Sequence, residues 1–423
     1  MAALAALLGA LTIAGTVLAG SAGWLDTSYG HRGTAALHPR PGDRRLDAVG
    51  LVRSPRGVVV LMNALFAPGG GTDEHGYSLS GLISTGAVDT QWNAGRPTTR
   101  TYGGNGRAWS VIPRAIGPLV AGYASDLGIT RIVVDAYRWD GKFATGFAKY
   151  GQFLSRGMGQ GPLGNGAAVQ LPDGRLRICT TVTETIDDLT PGVWLLGLTV
   201  AGLADTSVGP DGVRKLDLGA AQTCNGIVAD ANGRFVVAGT GRIGNRRAAI
   251  VGRFAADGSL DGTFGNAGLA TLLWSGREFT AQRIVRLGSN GFVVGGQAID
   301  NGAESLAYTA RLDENGHTDA SYGFGGVYRY PAAGGSLLRA LDVAGNGRLL
   351  LGIARWDASG AVTETLQRIN AATARLDATF GRSGVVAVPM RAVDSVIDGS
   401  GRSLSVGTRV GSVSTVLVQR RHG

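Results

Sequence analysis

Lysine is nearly missing from this chain: three residues in 423, beside 37 arginines. So few lysines leave little material for Schiff-base chemistry. Cysteine occurs twice, at Cys179 and Cys224, which excludes a disulfide-dense scaffold and makes a poor zinc site. The five histidines (His31, His38, His75, His317, His422) are scattered, and no His-Glu-x-x-His occurs. There is no Gly-x-Ser-x-Gly elbow and no Gly-x-x-x-x-Gly-Lys loop. Only 13 prolines argue against an extended, linker-rich chain. Beyond residue 22, no apolar run approaches the 18 residues of a membrane helix.

What is abundant is glycine, 70 residues or one in six. Glycine costs about 1 kcal/mol in a helix interior, so long helices are disfavoured. There is no Gly-X-Y period, so collagen is excluded. Apolar residues make up 44%, enough to bury a core. These figures describe a turn-dense β protein.

The first 22 residues carry no charged side chain and end in Gly20-Ser21-Ala22. Small residues after an apolar run suit signal peptidase, so residues 1–22 are expected to be a secretory signal. A transmembrane anchor is the alternative. The remaining 23–423 form one domain, placed outside the cytoplasm: secreted, periplasmic or at the envelope. Export permits a Cys179–Cys224 bridge, with two buried thiols as the other possibility. The net charge of +9 suits a protein that meets anionic polysaccharide or lipid headgroups.

A repeat runs through 23–423. Its clearest copy, Arg253 to Gly265, contains Leu260-Asp261-Gly262-Thr263-Phe264-Gly265. Further copies are Leu25-Asp26-Thr27-Ser28-Tyr29-Gly30, Arg311 to Gly323, and Leu376 to Gly381, with degraded copies near Asp89, Ala144 and Asp205. The apolar position falls at Tyr29, Trp92, Phe147, Val208, Phe264, Tyr322 and Phe380, in steps of 63, 55, 61, 56, 58 and 58. A turn glycine recurs in step at Gly57, Gly117, Gly174, Gly233, Gly291, Gly347 and Gly401. Two markers with one count establish seven repeats.

Each repeat reads as four short strands, in the fifth Leu269–Leu273, Ala281–Leu287, Phe292–Gly296 and Ser305–Leu312. Asn-Gly or Asp-Gly dipeptides join two of them and favour tight hairpins. Seven such units describe an all-β fold, a seven-bladed β-propeller. The motif is expected to carry the chain between blades. Its Asp (Asp26, Asp89, Asp205, Asp261, Asp319, Asp377) caps the turn, and its aromatic fills the wedge between blades. Because 23–423 opens on the motif and closes on a fourth strand, each blade should be contiguous. A swapped strand needs the Gly23-Trp24 segment to pair outward.

The Arg253–Gly265 motif and its copies resemble the delta-60 repeat of bacterial exported β-propeller proteins. The resemblance covers about residues 23–423 and weakens in repeats two to four. It implies a propeller and export, with no agreed activity, cofactor or catalytic residue.

Two features bear on function. Acidic loops at Asp73-Glu74, at Glu184 with Asp187 and Asp188, and at Asp300 with Glu304 lack the alternating aspartates of a calcium loop, so no metal is expected. Arginine adjoins the hairpin glycine at Arg56, Arg175, Arg234, Arg348 and Arg402. Equivalent turns share one face, so these five predict a basic rim for carboxylate or sulfate groups. The leading expectation is a monomeric, non-enzymatic binding scaffold for anionic glycan or an envelope partner. Nucleic acid is not expected, since no matching motif occurs. The alternative is a polysaccharide hydrolase or lyase with a carboxylate pair at the channel mouth.

Overall fold

The computed structural model describes residues 22–423 apart from 41–42, 67–72, 103, 160–162, 184–190, 222, 274–276, 290, 301–304 and 412–413. The expected leader therefore falls outside the described residues up to residue 21, as do the acidic positions Glu184, Asp187, Asp188 and Glu304. Among the described residues no helix is long and apolar enough to cross a membrane.

The backbone forms seven four-stranded antiparallel sheets, and no α-helix occurs among the described residues. The first strands are Asp43–Ser54, Asn105–Ile112, Gly166–Gln170, Gly226–Ala229, Arg277–Arg286, Ser336–Gly345 and Arg391–Ile397. Each adjoins the first strand of the next sheet, and the seventh adjoins the first. The molecule is a seven-bladed β-propeller with these strands innermost. Second strands such as Leu176–Val182 are buried at every position, because neighbouring blades cover both faces.

The motif does not link blades as expected. Leu269–Leu272 pairs with Arg246–Phe254 and is the outermost strand of blade four, so the strand assignment from sequence is one strand out of phase. The motif turn explains the shift. Asp261 N–H bonds back to Arg253 O, and Arg253 N–H bonds to Gly268 O. So tight a reversal returns the chain onto the strand it has just left. Leu-Asp-x-x-Phe-Gly thus joins the third and fourth strands of one blade.

Closure follows from the same phase. Thr34–Leu37 pairs with Thr415–Arg421 and supplies the outer strand of blade seven. Gly23 N–H bonds His422 O at 2.8 Å, and Asp26 N–H bonds Arg420 O at 2.9 Å. The expectation of contiguous blades is therefore corrected. Residues 23–37 provide both the motif turn and the fourth strand that blade seven otherwise lacks, which removes an open sheet edge.

All seven apolar motif residues are buried, from Tyr29 at 0% exposure to Val208 at 2%. Several face a glycine of the next blade. A Cβ on Gly316 (φ +82) would sit 2.7 Å from the Phe264 ring, and Gly23 meets Phe380 in the same way. Only glycine lets that turn close on the ring. Cys179, in the second strand of blade three, and Cys224, before blade four, are buried and joined as a disulfide across the blade junction. The hairpins vary in type. Asn346 and Gly347 both take positive φ in a two-residue loop, whereas Gly174 closes a longer turn begun at Leu171.

Candidate functional site at the hairpin face

The five rim arginines follow or precede the hairpin between first and second strands, and each meets a motif aspartate. Arg56 lies 2.7 Å from Asp89, Arg402 2.7 Å from Asp26, Arg234 3.1 Å from Asp261, and Arg175 3.4 Å from Asp205. Arg348 pairs with Asp377. The two residue sets read separately from sequence are partners in space. Asp319 has no hairpin arginine, because Phe292 follows its glycine, and pairs with Arg311 at 3.1 Å.

A second arginine holds the same carboxylate in four blades, from near the end of the third strand in blades four, six and seven and from the start of the second strand in blade three. Arg420 reaches Asp26 at 2.8 Å, Arg177 reaches Asp205 at 2.7 Å, Arg253 reaches Asp261 at 2.7 Å and Arg368 reaches Asp377 at 2.9 Å. Three of these guanidinium groups stack on the motif aromatic: Arg420 on Tyr29, Arg253 on Phe264 and Arg368 on Phe380, 4.8–4.9 Å from the ring centre. The other carboxylate oxygen accepts from residue i+2, as Thr263 Oγ1 donates to Asp261 Oδ1 at 2.6 Å. Burial pushes the Asp261 carboxyl up. Thr263 and Arg253 outweigh it and hold the group down to about 2, and Asp377 is held at about 2 in the same manner by Thr379, Arg368 and Arg348.

This pairing makes the rim uneven. Arg175 and Arg177 face Asp205 and Asp173, and Arg234 and Arg253 face Asp261 and Asp230, so blades three and four are balanced. Arg402 and Arg420 share Asp26 alone, and Arg348 and Arg368 share Asp377 alone. The surplus sits beside the closing seam. There a cleft of 810 Å³ is lined by Arg53, Arg56, Arg402 and Arg420, against Asp398 as its one carboxylate. Arg53 is exposed at the cleft wall. It precedes the hairpin by three residues, so a search for arginine beside the glycine passes over it.

A second arrangement was not visible in the sequence. Five inner strands shift register at equivalent places, as at Ala392/Asp394 in blade seven and Ala48/Gly50 in blade one. The blade-seven bulge sends the Asp394 carboxylate across the seam, where its Oδ2 accepts from Leu51 N–H at 2.9 Å. It fits there because residue 50 is glycine: a Cβ at Gly50 would lie 2.9 Å from that oxygen. Asp394 is also in hydrogen-bond contact with Asp342 of blade six, whose Oδ2 accepts from Ser395 Oγ at 2.7 Å. Burial raises both carboxyls, Asp342 the more strongly because of the neighbouring Asp394 charge, while Arg283 of blade five partly offsets the rise. Like charges this close oppose each other, so the pair favours a state with one carboxyl protonated. Among the described residues no cluster of His, Cys, Asp and Glu could hold a metal ion.

No family model and no curated protein matches this chain. Solved structures are similar in fold. Sqt1 of Saccharomyces cerevisiae is 11% identical, with 95% of this chain and 100% of that one covered and a TM-score of 0.45. The soluble aldose sugar dehydrogenase of Escherichia coli is 13% identical over 75% of this chain and 99% of its own, with a TM-score of 0.38. A subtype N10 neuraminidase-like protein of a bat influenza virus is 14% identical over 76% and 93%, with a TM-score of 0.37.

Proposed function

We propose that this propeller is an exported, non-catalytic binding scaffold that receives an anionic group, the carboxylate or sulfate of a glycan, in the cleft between blades seven and one. The observation that carries the reading is the cleft's lining, four arginines against Asp398. Arg402 is held in place by Asp26, so its remaining N–H donors are preorganised for planar oxyanions, whereas Arg420 is buried with its guanidinium engaged by Asp26, Ser28 and Ser84. Arg175, Arg234 and Arg348 do not line the cleft and are tied to their own aspartates. Residues 1–22 would direct export, and the delta-60 resemblance points the same way.

Titration with a sulfated oligosaccharide tests the reading. Arg53→Glu together with Arg402→Gln should weaken binding at least tenfold and bring elution from a heparin column to lower salt. Unchanged affinity would overturn the seam site. Shortening of the glycan during incubation would instead favour the hydrolase or lyase reading. Mass analysis of exported protein should find a chain that starts near Gly23.

A further inference from the structure

We infer that the outer edge of the ring carries two quasi-equivalent grooves, on blades five and two, that bind an acidic polysaccharide by stacking sugar rings on aromatic faces and pairing their carboxylates with cations. The site lies apart from the seam cleft and does not depend on it.

Each groove is built from the same parts of the repeat: the motif turn and fourth strand of one blade, with the turn after the third strand of the next. On blade five a cleft of 660 Å³ holds Phe324, Tyr328, Arg277 and Arg329, and blade six adds Arg375. On blade two a cleft of 710 Å³ holds Tyr150, Phe153, Lys149 and Arg131, the neighbouring fourth strand adds Arg100, and blade three adds Leu203. Each groove thus presents two aromatics and three cations. Asp126 is the only carboxylate lining the second groove, and none lines the first.

Phe324 and Tyr150 are not there for the fold, whereas Tyr328 and Phe153 also pack against the core. Phe324 is 90% exposed, and its counterparts in other repeats are His31, Lys149, Pro210, Asn266 and Arg382. The position therefore accepts almost any side chain. Tyr150 is 72% exposed and takes positive φ (56), a conformation that a bulky side chain disfavours. Its counterparts are Arg32, Asp211, Ala267, Gly325 and Ser383. The positive φ belongs to the turn itself, since Arg32, Asp211, Ala267 and Ser383 share it, but a ring that stays in water there contributes no packing to the fold. The same chemistry arises at two blades from different placements, since the exposed aromatic is the first variable residue in one turn and the second in the other.

The composition selects the occupant. Flat apolar rings beside guanidinium groups fit a ligand with an apolar face and an attached oxyanion, which is a uronic-acid ring. Neutral sugar would leave the cations idle, and a polyanion without rings would leave the aromatics idle. The test is calorimetric titration with hexagalacturonate, maltohexaose and polyacrylate, in an Arg53→Glu background that disables the seam cleft. Hexagalacturonate should bind, and Phe324→Ala with Tyr150→Ala should weaken it about tenfold, as should Arg375→Ser with Lys149→Ser. All four positions are exposed, and a thermal melt that matches the parent protein confirms an intact fold. No binding in that background, binding unaffected by the aromatic pair, or polyacrylate bound as tightly as hexagalacturonate would overturn the inference. Binding that survives every groove variant but vanishes with Arg53→Glu would leave the seam site standing alone.

Discussion

Arg402 Nη1 meets Asp26 Oδ2 at 2.7 Å, joining the hairpin of blade seven to a motif turn supplied from the other end of the described chain. Arg420 completes the clamp at 2.8 Å, and its guanidinium lies over Tyr29. The device is the same one that organises the interior of blades four and six. Here it also closes the ring.

Removal of residues 23–38 should therefore do more than trim a terminus. The strand Thr415–Arg421 would lose its outer partner and expose an unpaired edge, a template for association with another chain. The thermal midpoint should fall and size-exclusion chromatography should show dimers or aggregates. A monomer with an unchanged melt would show that closure contributes nothing to stability.

The motif aspartates should differ in weight according to the arginine they neutralise. Arg177 is fully buried and bonds Asp205 at 2.7 Å, so Asp205→Ala strands a buried charge, at a cost of about 3–5 kcal/mol. In blade five the Arg311 and Asp319 side chains are 16% and 25% exposed, and Asp319→Ala should cost about 1 kcal/mol. Urea denaturation of the two variants measures both values. Equal losses would show that turn capping, rather than ion pairing, sets the contribution of the motif.

Two groups of carboxyls should give the stability profile opposite slopes. Asp261 and Asp377 are held at about 2, below the ordinary 3.8, so their stabilisation is present above 3.8 and is lost as the pH falls through about 2. Asp342 is raised by burial and by Asp394, so its favourable protonated state is lost as the pH rises above 3.8 through the raised value. Asp342→Asn should flatten the decline on the high-pH side without moving the acid limb. Asp261→Asn should shift the acid limb alone. Thermal midpoints measured from pH 2 to 9 separate the two, and a single shared shift would refute the assignment.

The blade count, the burial of the seven apolar motif residues and the role of the motif Asp as a turn cap were all legible in the sequence. Those properties rest on contacts within a few residues, and the glycine and aromatic markers repeat them in register. The phase of the blades was not legible, because a turn that reverses and a turn that crosses over use the same Asp, aromatic and Gly. The hydrogen bond from Asp261 N–H to Arg253 O decides between them. The arginines and aspartates were each visible, yet nothing local says that Arg56 faces Asp89 or that Arg402 faces Asp26. Asp342 and Asp394 each follow an Arg-Ala-aliphatic stretch on neighbouring inner strands, but nothing local says that the two meet, and only ring closure sets Asp394 against Gly50 and Leu51. Local turn chemistry thus determined the repeat, whereas tertiary structure decided where its charges meet, since each pair joins two turns of a blade 27–33 residues apart and, at the seam, Arg402 and Asp26 from opposite ends of the described chain.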